Sequence, residues 1–380
     1  MNIQATSTVL GYPRIGGNRE LKRALEGYWG GRLTADELDA TAAAIRGETW
    51  STLRSAGIDE IPSNTFSYYD QVLDTTVAVG AIPGRFRALD LSPLDTYFAA
   101  ARGTAQLPPL ELTKWFDTNY HYLVPELSPD TTFTANPAKA LAELDEAREL
   151  GIATRPVLVG PLTFLLSAKA ASEAPANFRP LDLLPALVEC YADLLRALAE
   201  AGADWVQLDE PALTADRSDA ELASAERAYA RLGELTERPR LLVAGYFGEF
   251  AAALPALLRT PIDGIAVDLV SADGDLASLI EGGQLRGRRV VAGVVDGRNI
   301  WRADLGRALD TVRSLSEVTG DLVVGTSCSL LHVPLDLAAE PELDDRLRSH
   351  VAFARQKLDE VVAVARAGRG DALAIASVEA

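Results

Sequence analysis

Short runs of β-branched and aliphatic residues alternate along this chain with long alanine- and leucine-rich runs of helical period. That alternation predicts parallel strands joined by crossover helices. The strand-like runs are residues 7–10, 58–66, 111–119, 156–161, 205–211, 241–247, 264–270, 289–296 and 322–327. Helical pattern fills 34–56, 137–150, 184–201 and 220–235, and a charged amphipathic helix is expected at 343–366. Nine runs are one more than a (β/α)8 barrel uses. The odd one is 111–119: it is entered through Leu107-Pro108-Pro109 and continues aromatic and polar to Pro125. We read it as an excursion over the barrel mouth.

The expected fold is therefore α/β, a single (β/α)8 TIM-type barrel over residues 1–366, with a linker-like tail at 367–380. A doubly wound open sheet would usually show a glycine fingerprint after the first strand, and the spacing of Gly11, Gly16 and Gly17 does not supply it. Nearly all the runs end on unusual residues: Tyr12-Pro13-Arg14, Asn64-Thr65-Phe66, Asp209-Glu210-Pro211, Tyr246-Phe247, Asp268, Asp296-Gly297-Arg298 and Thr326-Ser327-Cys328. In a barrel these ends collect on the face where such folds carry their sites.

Composition narrows the function. In 380 residues, 48% hydrophobic and 24% charged content is that of an ordinary globular chain with ample core. The formal charge of -18 argues against nucleic acid and anionic membranes as partners. No apolar run reaches the length of a membrane span, and the N-terminus lacks the pattern of a secretory signal. With two cysteines far apart, a reducing cytoplasm is the expected location.

Against that acidic background, residues 11–23 stand out. Gly16 and Gly17 allow a tight turn, Asn18 reads as an N-cap, and a helix opens with Leu21, Leu25 and Tyr28 on its apolar face. Arg19, Lys22 and Arg23 gather on roughly the other side, beside a helix start that attracts anions. The alternative is a solvated basic face. Asp209-Glu210-Pro211 places paired carboxylates at a strand end, for acid–base work, for orienting an amine, or for capping and ion pairing. Asp268 and Asp296 are similar, with Arg298 a candidate partner of either. Cys328 and His332, four apart, are too few for a metal site by themselves; a buried inert thiol is the plainer reading. Around Lys114, residues 111–122 interleave four aromatics with a histidine and amides, either a platform for a flat heterocycle or a core-packing excursion.

Together these stretches resemble the N-terminal half of the cobalamin-independent methionine synthase family. The matching pieces are GYPRIGGNRELKRALEGYW (11–29), NTFSYYDQVLDT (64–75), ELTKWFDTNYHYLVPE (111–126), RPVLVGPLTFLL (155–166), WVQLDEPAL (205–213), VDLV (267–270), VVAGVVDGRNIWRADL (290–305) and TSCSLLHVPLDL (326–337). The resemblance implies two barrels, with methyl transfer from 5-methyltetrahydropteroyltri-L-glutamate to homocysteine. Folate would lie between the halves, its polyglutamate tail on Arg19, Glu20, Leu21, Lys22 and Lys114 of this half. It implies zinc only in the C-terminal catalytic barrel, on the same or a separate chain, and no metal or cofactor here. Asp209 echoes an aspartate that would hold the homocysteine amine in the second barrel. The other expectations are a stand-alone enzyme of the superfamily, using Asp209, Glu210, Asp268 or Cys328 at its own mouth, and a non-catalytic folate-binding module.

Overall fold

A computed structural model describes residues 5–271, 274–281, 285 and 287–379. Eight parallel strands follow one another around a ring: β1 (Thr6–Ser7), β2 (Ile61–Ser63), β3 (Thr154–Val159), β4 (Trp205–Asp209), β5 (Arg240–Ala244), β6 (Gly264–Asp268), β7 (Arg289–Val295) and β8 (Asp321–Thr326). Each pairs with the next from β2 to β8, and β8 pairs with β1. A parallel bridge between Thr8 and Glu60, with the Glu60 N–H on the Ser7 carbonyl at 2.9 Å, closes β1 onto β2. The barrel expected from the alternation is present, and eight of the nine runs supply its strands. The strands are buried on both faces, which is why they read as continuous apolar runs rather than alternating ones.

The main helices are α1 (Glu20–Trp29), α2 (Ala35–Ala56), α3 (Ala138–Glu149), α4 (Leu184–Glu200), α5 (Asp219–Gly233), α6 (Ala253–Leu258), α7 (Gly274–Glu281), α8 (Leu305–Ser316), α9 (Ala354–Gly368) and α10 (Ala372–Val378). Local sequence sets their ends. Thr34 and Glu37 exchange hydrogen bonds in a capping box at the start of α2, and Ser218 and Glu221 do the same for α5.

The barrel interior is apolar at mid-height, with Trp205, Leu242, Ala244, Ala266, Val291 and Val323 in contact, and Leu10, Tyr246 and Cys328 above them. A polar column crosses it. Arg155 meets Glu60 at 3.5 Å and Gln207 at 3.0 Å, and the Gln207 amide donates to Asp209 at 2.6 Å. At the N-terminal ends of the strands, Arg240 and Arg289 cover the Trp205 ring at 4.6 and 4.3 Å.

The ninth run forms a hairpin outside the barrel sheet, Leu112–Lys114 antiparallel to His121–Leu123. Its turn lies over the mouth, as its proline entry suggested: Phe116 packs 5.9 Å from Phe247, and Tyr120 lies 6.2 Å from His332.

Two expectations at the C-terminus are corrected. The single helix at 343–366 is interrupted, because Val351 bridges to Trp301 and the Ala352 N–H bonds the Ile300 carbonyl at 2.7 Å before α9 begins. Residues 367–380, read as linker-like, include α10, which Asp371 caps through the Leu373 and Ala374 N–H groups. Val378 is buried beside Leu309 and Ala367, so this segment packs on the barrel.

Candidate functional site

The glycine turn and basic helix stand at the mouth end of β1. Gly16 takes the left-handed conformation, φ 81°. Asn18 is not the N-cap: Arg19 occupies that position with φ 63° and no side-chain cap. The Glu20 carboxylate folds back instead, accepting from the Asn18 backbone at 2.9 Å and from its amide at 3.1 Å. Leu21 is 1% exposed and anchors α1 in a cluster with Leu25, Phe66, Phe98 and Leu123. Arg23 donates to the Asn18 carbonyl, which leaves Arg19 and Lys22 as the more available cationic ends. Lys22 lies 3.8 Å from Glu26, a solvent-exposed pair of little strength.

Lys114 is exposed on the hairpin, directly across from the exposed His121. The neighbouring aromatics do not form an outward platform. Trp115 is 1% exposed and packs edge-on against Phe116 and Tyr122, while Tyr120 faces His332. The excursion is a core-packed lid that carries its lysine outward.

The four mouth candidates separate. Asp209 lines a cavity of about 380 Å3 together with Leu10, Tyr246 and His332, and accepts the Tyr246 hydroxyl at 3.1 Å. Burial raises its pKa to about 7, against the hydrogen bonds from Gln207 and Tyr246. Glu210 is fully engaged elsewhere. It accepts the Leu162 and Thr163 N–H groups at 3.1 and 2.7 Å and the Tyr229 hydroxyl at 2.6 Å. Gly160 is required there, since a Cβ would sit 2.3 Å from that carboxyl group. Asp268 accepts the backbone N–H groups of Phe247, Val270 and Ser271, and so ties two loops together. Cys328 is 1% exposed, and burial pushes its thiol well above the ordinary range.

Cys328 and His332 do not converge. The thiol faces the Ser329 carbonyl at 3.6 Å, while the imidazole packs against Phe247 at 5.3 Å. Burial, with Arg298 adding, lowers the His332 pKa to about 4 and keeps the ring neutral. Among the described residues no group of three or more His, Cys, Asp or Glu is placed to hold a metal ion, so these side chains do not fit zinc. Arg298 pairs with neither Asp268 nor Asp296. It binds Asp117 of the hairpin turn at 2.8 Å, and Asp296 caps the backbone of Arg298 and Asn299.

Arg14 and Tyr246 entered the sequence reading only as strand-end residues, and His332 only beside Cys328. For Arg14 the only signal was its place at a strand end. Its guanidinium joins three mouth segments, donating to the Ser67 and Tyr69 carbonyls and reaching the Tyr120 hydroxyl at 3.4 Å. A second cleft, of about 490 Å3, is lined by Arg14, Lys22, Trp29, Tyr68, Tyr120 and Leu331 among others.

Residues 6–320 match the family described as "Cobalamin-independent synthase, N-terminal domain". A 5-methyltetrahydropteroyltriglutamate–homocysteine methyltransferase of Rhodococcus jostii is 57% identical over 368 residues, 97% of this chain and 48% of that protein. The protein of the same name from Streptomyces coelicolor is 56% identical, over 95% of this chain and 47% of its own length. The chain thus spans about half the length of the curated relatives it matches. Among solved structures, a B12-independent methionine synthase from Shewanella superposes with a TM-score of 0.65 at 17% identity, over 98% of this chain and 99% of that one, a likeness of fold. On the span of the family match and the identity to these relatives, the chain belongs to the cobalamin-independent methionine synthase family, in the part that forms its N-terminal domain.

Proposed function

We propose that this chain is the folate-polyglutamate-binding half of a methionine synthase. The reaction is methyl transfer from 5-methyltetrahydropteroyltri-L-glutamate to homocysteine, with zinc and homocysteine held by a separate C-terminal barrel. The observation that carries the reading is cationic side chains on two mouth elements of a chain whose net charge is -18: Arg19 and Lys22 on α1, Lys114 on the hairpin. A tail of several carboxylates is the ligand such a local cluster favours, through charge-assisted hydrogen bonds. In this reading Leu21 anchors the helix and Glu20 shapes the turn, while Arg19, Lys22 and Lys114 meet the tail. In this reading the second barrel docks on the same face. Ile15, Val270, Ile300 and Trp301 on loops that follow barrel strands, and Leu112 on the hairpin, are exposed apolar side chains, Trp301 being 55% exposed.

Calorimetric titration with the triglutamate and monoglutamate forms of 5-methyltetrahydrofolate tests the reading. Lys22→Ala and Lys114→Ala should each weaken the triglutamate by roughly two- to fivefold and leave the monoglutamate unchanged. Equal losses for both ligands would remove the tail assignment.

A further inference from the structure

We infer that Arg14 is a positioning residue for the anion site: it locks the entry to α1 and the Lys114 hairpin into one geometry, so that both act on a single ligand tail. The inference rests on the tail-binding reading above. Arg14 sits five residues before Arg19, in the loop that leaves β1. Its terminal nitrogens cross to the loop after β2 at Ser67 and Tyr69, and to the hairpin at Tyr120. The guanidinium carbon lies 5.8 Å from the centre of the Tyr120 ring. Nε is buried without a hydrogen-bond partner, so the side chain is held by its outward contacts alone.

Both ends of this strut are stiffly joined to the cations. On one side the Arg19 N–H bonds the Gly16 carbonyl at 3.2 Å and the Leu21 N–H bonds the Ile15 carbonyl at 3.2 Å, so a displacement at residue 14 passes to the first turn of α1. On the other, the Tyr120 carbonyl accepts the Trp115 N–H at 2.8 Å, closing the hairpin turn immediately beside Lys114. Tyr120 also meets His332, and Arg14 and Lys22 line one cleft with it. Only a planar fork of donors reaches two carbonyls and a hydroxyl together; a lysine ammonium at this position keeps the charge and loses the geometry.

The test uses the full chain and titrates the triglutamate and monoglutamate forms against wild type, Arg14→Lys, Tyr120→Phe, Lys114→Ala and the Arg14→Lys/Lys114→Ala double variant. Arg14→Lys should cut the preference for the triglutamate by about fivefold while the monoglutamate affinity holds. Tyr120→Phe should shift it in the same direction by less. In the Lys114→Ala background Arg14→Lys should cost little more, because the cation it positions is gone. A structural role alone lowers the melting temperature without moving the ligand ratio. An unchanged ratio in Arg14→Lys, alongside a loss in Lys114→Ala, overturns the Arg14 role and leaves the tail reading standing; fully additive losses in the double variant do the same. If Arg14→Lys does not fold, Tyr120→Phe decides, and an unaltered preference there overturns the inference. A wild-type chain with no triglutamate preference overturns both.

Discussion

Asp209 is ionised at a cost that its environment only partly offsets. Burial drives its pKa to about 7, Gln207, Tyr246 and Arg155 pull it down, and Glu210 pushes it up. In the unfolded chain the same carboxyl titrates near 3.9, so between about pH 4 and 7 the folded state holds a proton that the unfolded state has released. Its contribution to stability is full below the unfolded pKa and is lost as pH rises through the folded one. Asp209→Asn keeps the shape without the charge. It should be more stable than the parent at about pH 8, by roughly 1–4 kcal/mol, and the gap should close towards about pH 4. Thermal melting of both proteins across that range measures it; a parent at least as stable as the variant at the alkaline end contradicts the account.

The hairpin shows the same economy at the scale of an element. Its base is tied down by the Leu123 N–H on buried Asp70 at 3.1 Å, and its turn by the Asp117–Arg298 pair and the Phe116–Phe247 contact. Phe116 and Phe247 both take positive φ, 52° and 75°, a conformation that costs energy outside glycine and persists where surrounding contacts fix it. Arg298→Ala removes the ion pair and a hydrogen bond to the Asp117 carbonyl at 3.0 Å. Backbone amide exchange should quicken in residues 115–120 with little change in melting temperature, since Asp117 is largely exposed and such pairs are worth only about 0.2–1 kcal/mol. Protection unchanged in that turn would show that the aromatic contacts hold it alone. Elements of this kind were largely legible in the sequence. Apolar runs gave the eight barrel strands, and the Pro108-Pro109 entry separated the hairpin from them. The division of labour between Asp209 and Glu210 was half legible, because neighbours on a strand point to opposite faces, but which face met the cavity depended on Thr163 and Tyr229, distant in sequence. Asp371 before an alanine-rich stretch was an N-cap signal for α10 that the glycines around it masked. Arg14 was not legible as a hub, since its partners lie 53 to 106 positions away.

On the scale of the whole molecule, two fields act on an anionic ligand in opposite senses. The net charge of -18 repels it diffusely, whereas Arg19, Lys22 and Lys114 attract it locally. Salt weakens both, but not over the same range. The Debye length is about 10 Å at 0.1 M, so the diffuse repulsion from distant carboxylates is already damped near that concentration, while contacts of a few ångströms are damped mainly above it. Added salt should therefore leave triglutamate binding nearly flat up to about 0.1 M and lower it severalfold by about 0.5 M. The monoglutamate, with fewer charges for either field to act on, should change little. The ratio of the two affinities removes the shared pteridine and keeps what acts on the extra carboxylates; above about 0.1 M, where the diffuse repulsion is damped, it reports the local term. Titrations at four or five salt concentrations give that ratio directly. A ratio that stays constant would mean the extra carboxylates lie in solvent, and the cations at the mouth would then belong to the contact with a partner barrel rather than to the ligand.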